Sequence, residues 1–139
     1  MAVSILLIGV LLALAAIHAY WACGGRWPGH DEASLVERVV GRTSGMRAPS
    51  PASCIAVAAA LASSVGLVFF KTLAVAPRPF GGLVSVGFWG AAFVFLARGV
   101  AGFTPAFRYA EGTPFYRLNR RYYSPLCLLI AAALVAASW

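Results

Sequence analysis

The stretch VSILLIGVLLALAAIHAYW, Val3 to Trp21, decides how this chain folds. It carries no charged residue. A helix rising 1.5 Å per residue needs about 20 residues to cross ~30 Å of hydrocarbon, so this run has the length of a membrane helix. It resembles a signal peptide only in part. No Lys or Arg precedes the apolar run, and bulky Tyr20 and Trp21 stand at its exit, where cleavage needs small residues. The same two side chains argue against a lipoprotein-type role for Cys23. The segment is expected to be retained as the first helix.

Composition extends this reading to the whole chain. Of 139 residues, 61% are hydrophobic and 11% charged, against about 25% charged in soluble domains. Such a chain cannot cover a water-facing surface, and one integral membrane domain, residues 1–139, is expected. The net charge of +7 would suggest nucleic acid in a soluble protein. Here the charges sit between apolar runs, which points to topology and anionic lipid and away from nucleic acid. Ten of the eleven basic residues are arginine, a hint of a GC-rich bacterial genome. Cys23, Cys54 and Cys127 form no CxxC pair, and an odd count does not complete a disulfide framework.

The predicted architecture is all-α: a four-transmembrane-helix bundle with a short interfacial amphipathic helix in the first loop. The spans are placed at about 3–22, 51–73, 82–99 and 114–139, with the interfacial helix at 31–41. Ser50-Pro51 offers a cap followed by proline at the first helical position, and Thr113-Pro114 repeats the signal. A helix from Pro114 would carry Pro125 near its middle as a kink, whereas Ser124-Pro125 would start a shorter one; the longer is preferred. APRPFGG, Ala76 to Gly82, reads as a tight connection. In DEASLVERVVGR, Asp31 to Arg42, Leu35, Val36, Val39 and Val40 share one face, Asp31 and Glu32 suit the N-terminus and Gly41 the C-cap. Small residues recur every four positions at Ala52, Ala56, Ala60 and Ser64, and at Gly87 and Ala91 beside Gly90, spacings that admit close helix packing.

Charge sets the orientation. The first and third loops hold nine basic residues (Arg26, Arg38, Arg42, Arg47, Arg98, Arg108, Arg117, Arg120 and Arg121), and the other face holds Lys71 and Arg78. Positive charge stays cytoplasmic, so both termini are expected outside a bacterial inner membrane. Either orientation brings AIHAYWACGGRW, Ala16 to Trp27, to the same face as TPFYRLNRRYYSPLCL, Thr113 to Leu128.

These two stretches carry a resemblance. YRLNRRYYSPLCLL, with AIHAYWACGGRWPG, resembles the DUF3995 family of small four-helix bacterial membrane proteins, and with the pattern of apolar runs the resemblance covers nearly the whole chain. It implies an architecture and no activity. An acidic residue is frequent in that family where this chain has Asn119, so an acid-base role for that position does not carry over.

The candidate ligand-binding residues are His18, Trp21, Arg26 and Trp27 from one stretch and Arg117, Arg120, Arg121 and Tyr123 from the other. An ionisable group inside a span is a functional candidate, although His18 would serve equally as a hydrogen-bonded interface residue. Trp21 and Trp27 also suit interfacial anchoring, and Arg26 suits a phosphate, a carboxylate or a topology signal. Arg117, Arg120 and Arg121 lie at helical spacing and repel unless an anion sits among them, with lipid phosphate the plainest choice. Catalytic templates find little support: Asp31, Glu32, Glu37 and Glu111 all lie in loops, and there is neither a nucleophile motif nor a glycine-rich phosphate loop. No metal or cofactor is predicted, since the histidines and cysteines lack ligand spacing and one histidine is weak support for haem.

The leading functional expectation is a non-catalytic binding or accessory protein with a site for an amphipathic ligand or protein partner at the cytoplasmic face. Its rivals are a membrane enzyme using His18 as acid-base group on a lipid-soluble substrate, and a small subunit of a pigment or respiratory complex.

Overall fold

The computed structural model describes residues 1–41, 47–73 and 80–137. Arg42, Arg78, most of the Ala76–Gly82 connection and the last two positions of the fourth expected span lie outside the described residues.

Local chemistry explains where the helices start and stop. α1 spans Ala2–Ala22. It ends because Gly24 takes φ +85°, which turns the backbone so that Gly25 N–H donates to Tyr20 O (2.9 Å) and Gly24 N–H to Trp21 O (3.0 Å). These two bonds satisfy carbonyls that a helix end leaves open. α2 spans Glu32–Val39 and starts from a reciprocal cap: Asp31 accepts from Ser34 N–H (2.8 Å), while Ser34 Oγ accepts from Asp31 N–H (3.1 Å). Gly41, at φ +93°, turns the chain away after it. α3 spans Pro51–Leu73, with Ser50 Oγ accepting from Ser53 N–H (3.2 Å). α4 spans Gly81–Ala101.

A short 3-10 turn, Pro105–Ala110, leads to α5, Pro114–Leu118, which is capped by Thr113. The chain then stays helical through a π-helical turn at Asn119–Tyr123 into α6, Ser124–Ala137. Helix therefore begins at Pro114, and the irregularity precedes Pro125. Proline has no N–H, and its ring crowds the carbonyl four residues back, here Arg121 O. The wider turn, in which Ser124 N–H donates to Asn119 O, absorbs this without breaking the helix.

Among the described residues the structure is all helical, with no strand. α1 packs along α3, and α4 along α6; further contacts join α3 to α4 and α1 to α6. Each long helix sends two residues into one core: Leu7 and Leu11, Leu61 and Val68, Phe88 and Ala92, Ile130 and Leu134. Phe88, Leu11 and Val68 are completely buried. The opposite faces expose Leu6, Ile55, Phe69, Leu83, Val86 and Phe93. That outward apolar surface is the reverse of a soluble protein's. α1, α3 up to Thr72, and α4 are long and apolar enough to cross a membrane.

Packing does not follow the small-residue row expected on α3. Ala52, Ala56 and Ala60 are exposed, and only Ser64 is buried, its hydroxyl donating to Ala60 O (2.9 Å). Cys54, Leu61 and Val68, seven residues apart, face inward instead. The larger side chains fill more of the interhelical space, and dispersion grows with the atoms in contact. On α4, a Cβ at Gly87 would lie 3.1 Å from Leu67, whereas Gly90 faces open space. The tightest approaches come lower on α4. A Cβ at Gly99 would lie 2.6 Å from the Leu128 side chain, and one at Gly102 would overlap the Ser124 hydroxyl.

Candidate functional site

The two unusual stretches lie at the same end of the molecule, with α2 between them. α2 packs on α5, and its apolar face supplies buried Leu35 and Val36. Leu35 and Val36 of the face expected to rest at a lipid interface are thus covered by protein, while Val39 and Val40 are half-buried. A Cβ at Gly41 would lie 2.6 Å from Ala110 Cβ, so that glycine also permits the close passage of the two connections. Three hydrogen bonds tie the layer together. Arg38 Nη1 donates to Pro28 O (2.8 Å), Tyr123 Oη to Arg38 O (3.3 Å) and Tyr109 Oη to Val40 O (3.3 Å).

The end of α1 folds back on itself. Trp21 Nε1 donates to Trp27 O (2.7 Å), and the Tyr20 hydroxyl accepts from the N–H groups of Arg26 (3.3 Å) and Trp27 (3.4 Å). Gly25 lies under the Tyr20 ring, where a Cβ would collide with it. The aromatic residues here therefore shape the loop. His18 Nδ1 donates to Leu14 O in its own helix (2.7 Å), and its ring meets the Trp21 indole edge-on at 5.0 Å. A carbonyl only accepts, so Nδ1 carries the proton.

This hook forms one wall of an open groove of about 400 Å³ between the end of α1, the start of α2 and the segment entering α3. Trp21, Gly24, Gly25 and Arg26 line one side, Glu32 and Leu35 the second, and Arg47 to Pro51 the third. Of the expected site residues, Trp21 and Arg26 line the groove; His18, Trp27 and the 117–123 residues do not. Trp27 is exposed beside it. Glu32 and Arg47 are lining residues that sequence reasoning did not select. Nothing local marks them, since only the fold brings them to Arg26.

The arginines of the second stretch are held by separate rings. Arg120 lies over Phe103 (5.9 Å) and Tyr116 (5.7 Å) and donates to the Tyr116 hydroxyl (3.1 Å), whereas Arg121 lies over Tyr122 (5.5 Å). Arg117 is exposed, and Tyr123, half-buried, serves the joint to α2.

Beneath them lies a buried polar joint between α4 and the π turn. Arg98 Nη2 donates to Asn119 Oδ1 (2.8 Å), which also accepts from the Ser124 hydroxyl (3.2 Å). Asn119 Nδ2 donates to Gly102 O (3.4 Å). Asn119 and Ser124 are fully buried. The Arg98 guanidinium lies over the Phe107 ring at 4.8 Å, and its Nη1 is buried without a hydrogen-bond partner among the described residues. From sequence, Arg98 marks only the end of a helix. A polar residue with a glycine 17 positions upstream carries no pattern that would announce such a joint.

Among the described residues, no group of three His, Cys, Asp or Glu side chains is placed to hold a metal. Asp31 is held below the ordinary aspartate range by the hydrogen bonds from the Ser34 hydroxyl and backbone.

The family model DUF3995, described as a protein of unknown function, matches residues 11–134. No curated protein and no solved structure matches the chain.

Proposed function

Since the chain belongs to the DUF3995 family, whose function is unknown, its own surface has to supply the reading, and we propose a multi-pass protein of the bacterial inner membrane that binds an amphipathic molecule at its cytoplasmic face. α1, α3, α4 and the α5–α6 helix would cross the bilayer. Both termini would lie outside, in keeping with the excess of arginine at the opposite end. The protein would act as a binding or accessory component.

The groove carries this reading. Arg26 and Arg47 line it beside the Trp21 indole and the apolar surfaces of Leu35, Pro49 and Pro51. Neither guanidinium forms a hydrogen bond with another described residue, unlike those of Arg38, Arg98 and Arg120. Guanidinium groups that form no hydrogen bond to a described residue, beside an apolar wall, suit an anionic head group with a hydrocarbon tail, and Arg26 also lies near enough to Asp31 to help lower its carboxyl. An enzyme centred on His18 has less support, because Nδ1 bonds within α1 and the ring does not line the groove.

Native mass spectrometry in mild detergent tests the site. The wild-type chain should retain phospholipid that a doubly substituted Arg26→Ala, Arg47→Ala chain releases. Equal retention by the two would remove the basis for the groove. For topology, a periplasmic reporter should be active at either terminus and silent when inserted beside Arg47; the reverse pattern would invert the orientation.

A further inference from the structure

The groove is not uniformly positive. Glu32 lines it together with Arg26 and Arg47. This carboxylate stands in the first turn of α2, where negative charge suits the helix dipole, but it takes no part in the cap. The cap of α2 is made by Asp31 and Ser34, and the Glu32 carboxylate forms no hydrogen bond with a described residue. A simple anion would gain from the two guanidinium groups but be repelled by Glu32, and a simple cation would meet the reverse. A head group carrying both charges a few atoms apart satisfies all three side chains.

We infer that the groove selects a phosphate ester bearing a primary amine, the chemistry of a phosphoethanolamine head group. The phosphate lies between Arg26 and Arg47, and the ammonium donates to Glu32. The indole face of Trp21 lies in the same lining, and its ring nitrogen is already engaged by Trp27 O, so the ring is held in place. About 400 Å³ accommodates a head group and leaves the tails outside along the exposed apolar faces of α1 and α3. A quaternary amine fits less well, because it has no N–H to donate to the carboxylate.

This inference rests on the groove being a binding site, and the experiment separates the two. The full chain in mild detergent is titrated by native mass spectrometry with phosphatidylethanolamine, phosphatidylglycerol and phosphatidylcholine of identical acyl chains, with soluble O-phosphoethanolamine as competitor. Wild type should prefer phosphatidylethanolamine by about tenfold, the size expected for one charge-assisted hydrogen bond. Glu32→Gln should abolish the preference while phosphatidylglycerol binding is unchanged or stronger. Its unchanged melting temperature would establish that the fold is intact. Competition by the soluble amine would identify the head group alone as sufficient; binding of the lipid without such competition would identify the membrane-borne ester as the ligand. Equal binding of all three lipids that Arg26→Ala, Arg47→Ala removes would overturn the head-group inference and keep the groove. Equal binding that no substitution in the groove alters would overturn both.

Discussion

Two sets of arginines lie at the same end of this molecule and are treated in opposite ways. Arg98 is drawn into the joint between α4 and the π turn, where it meets Asn119 and the Phe107 ring. Arg26 and Arg47 stand in an open groove without hydrogen-bond partners among the described residues. A buried charge is expensive unless hydrogen bonds replace its water, and half-buried Arg98 is given one acceptor, Asn119 Oδ1, together with the Phe107 face. An exposed charge has no such cost and can remain available. The closed site therefore belongs to the structure, and the open one is the proposed recognition site.

Four tests press on that contrast. The strongest strikes the joint. Gly102→Ala places a Cβ against Ser124 and Asn119, and should cost about 3 kcal/mol, the upper range for overpacking, seen as a lower melting temperature in detergent. Next, Asn119→Leu removes the acceptor from Arg98 and should cost about 2 kcal/mol. Asn119→Asp should recover only part of that loss, because its carboxylate still accepts from Arg98 and Ser124 but cannot donate to Gly102 O. If leucine is tolerated, Arg98 is not held by the joint and the contrast collapses.

A smaller effect is expected at the α2 cap. The carboxyl of Asp31 is lowered by its bonds to Ser34. Its contribution is therefore full above the unfolded-state value and fades as pH falls through the lowered folded value. Amide protection in α2, measured relative to the intrinsic exchange rate at each pH, should fall below the ordinary aspartate range, and Asp31→Ala should lower it at neutral pH and remove that dependence. The smallest stability effect belongs to the groove. Arg26→Ala and Arg47→Ala should each shift stability by less than about 0.5 kcal/mol while reducing retained phospholipid. A large loss of stability there would make the groove structural after all.

What could be read beforehand follows a physical divide. The starts at Ser50-Pro51 and Thr113-Pro114 are legible because a cap uses groups within one turn. The apolar lengths of α1, α3 and α4 are legible because hydropathy is a sum over neighbours in sequence. The apolar face of α2 was visible too, but not what would cover it. Periodicity gives the direction of a face, and α5 is supplied by the rest of the chain. Ala52, Ala56 and Ala60 of α3 are left exposed for a related reason: spacing marks a face without saying which face the neighbouring helices choose. His18 is exceptional by residue type within an apolar helix, and its hydrogen-bond partner is the carbonyl one turn back.

The sequence by itself determined an all-helical chain with apolar spans, their caps, and an excess of positive charge at one end, because each depends on residues close together along the chain. The tertiary structure alone decided which arginines are enclosed and which stay open. Arg98 is 21 residues from Asn119 and Arg26 is as far along the chain from Arg47. The register of α4 against α6 and the fold of the first connection set those neighbours, and a charge's energy depends on what surrounds it in space.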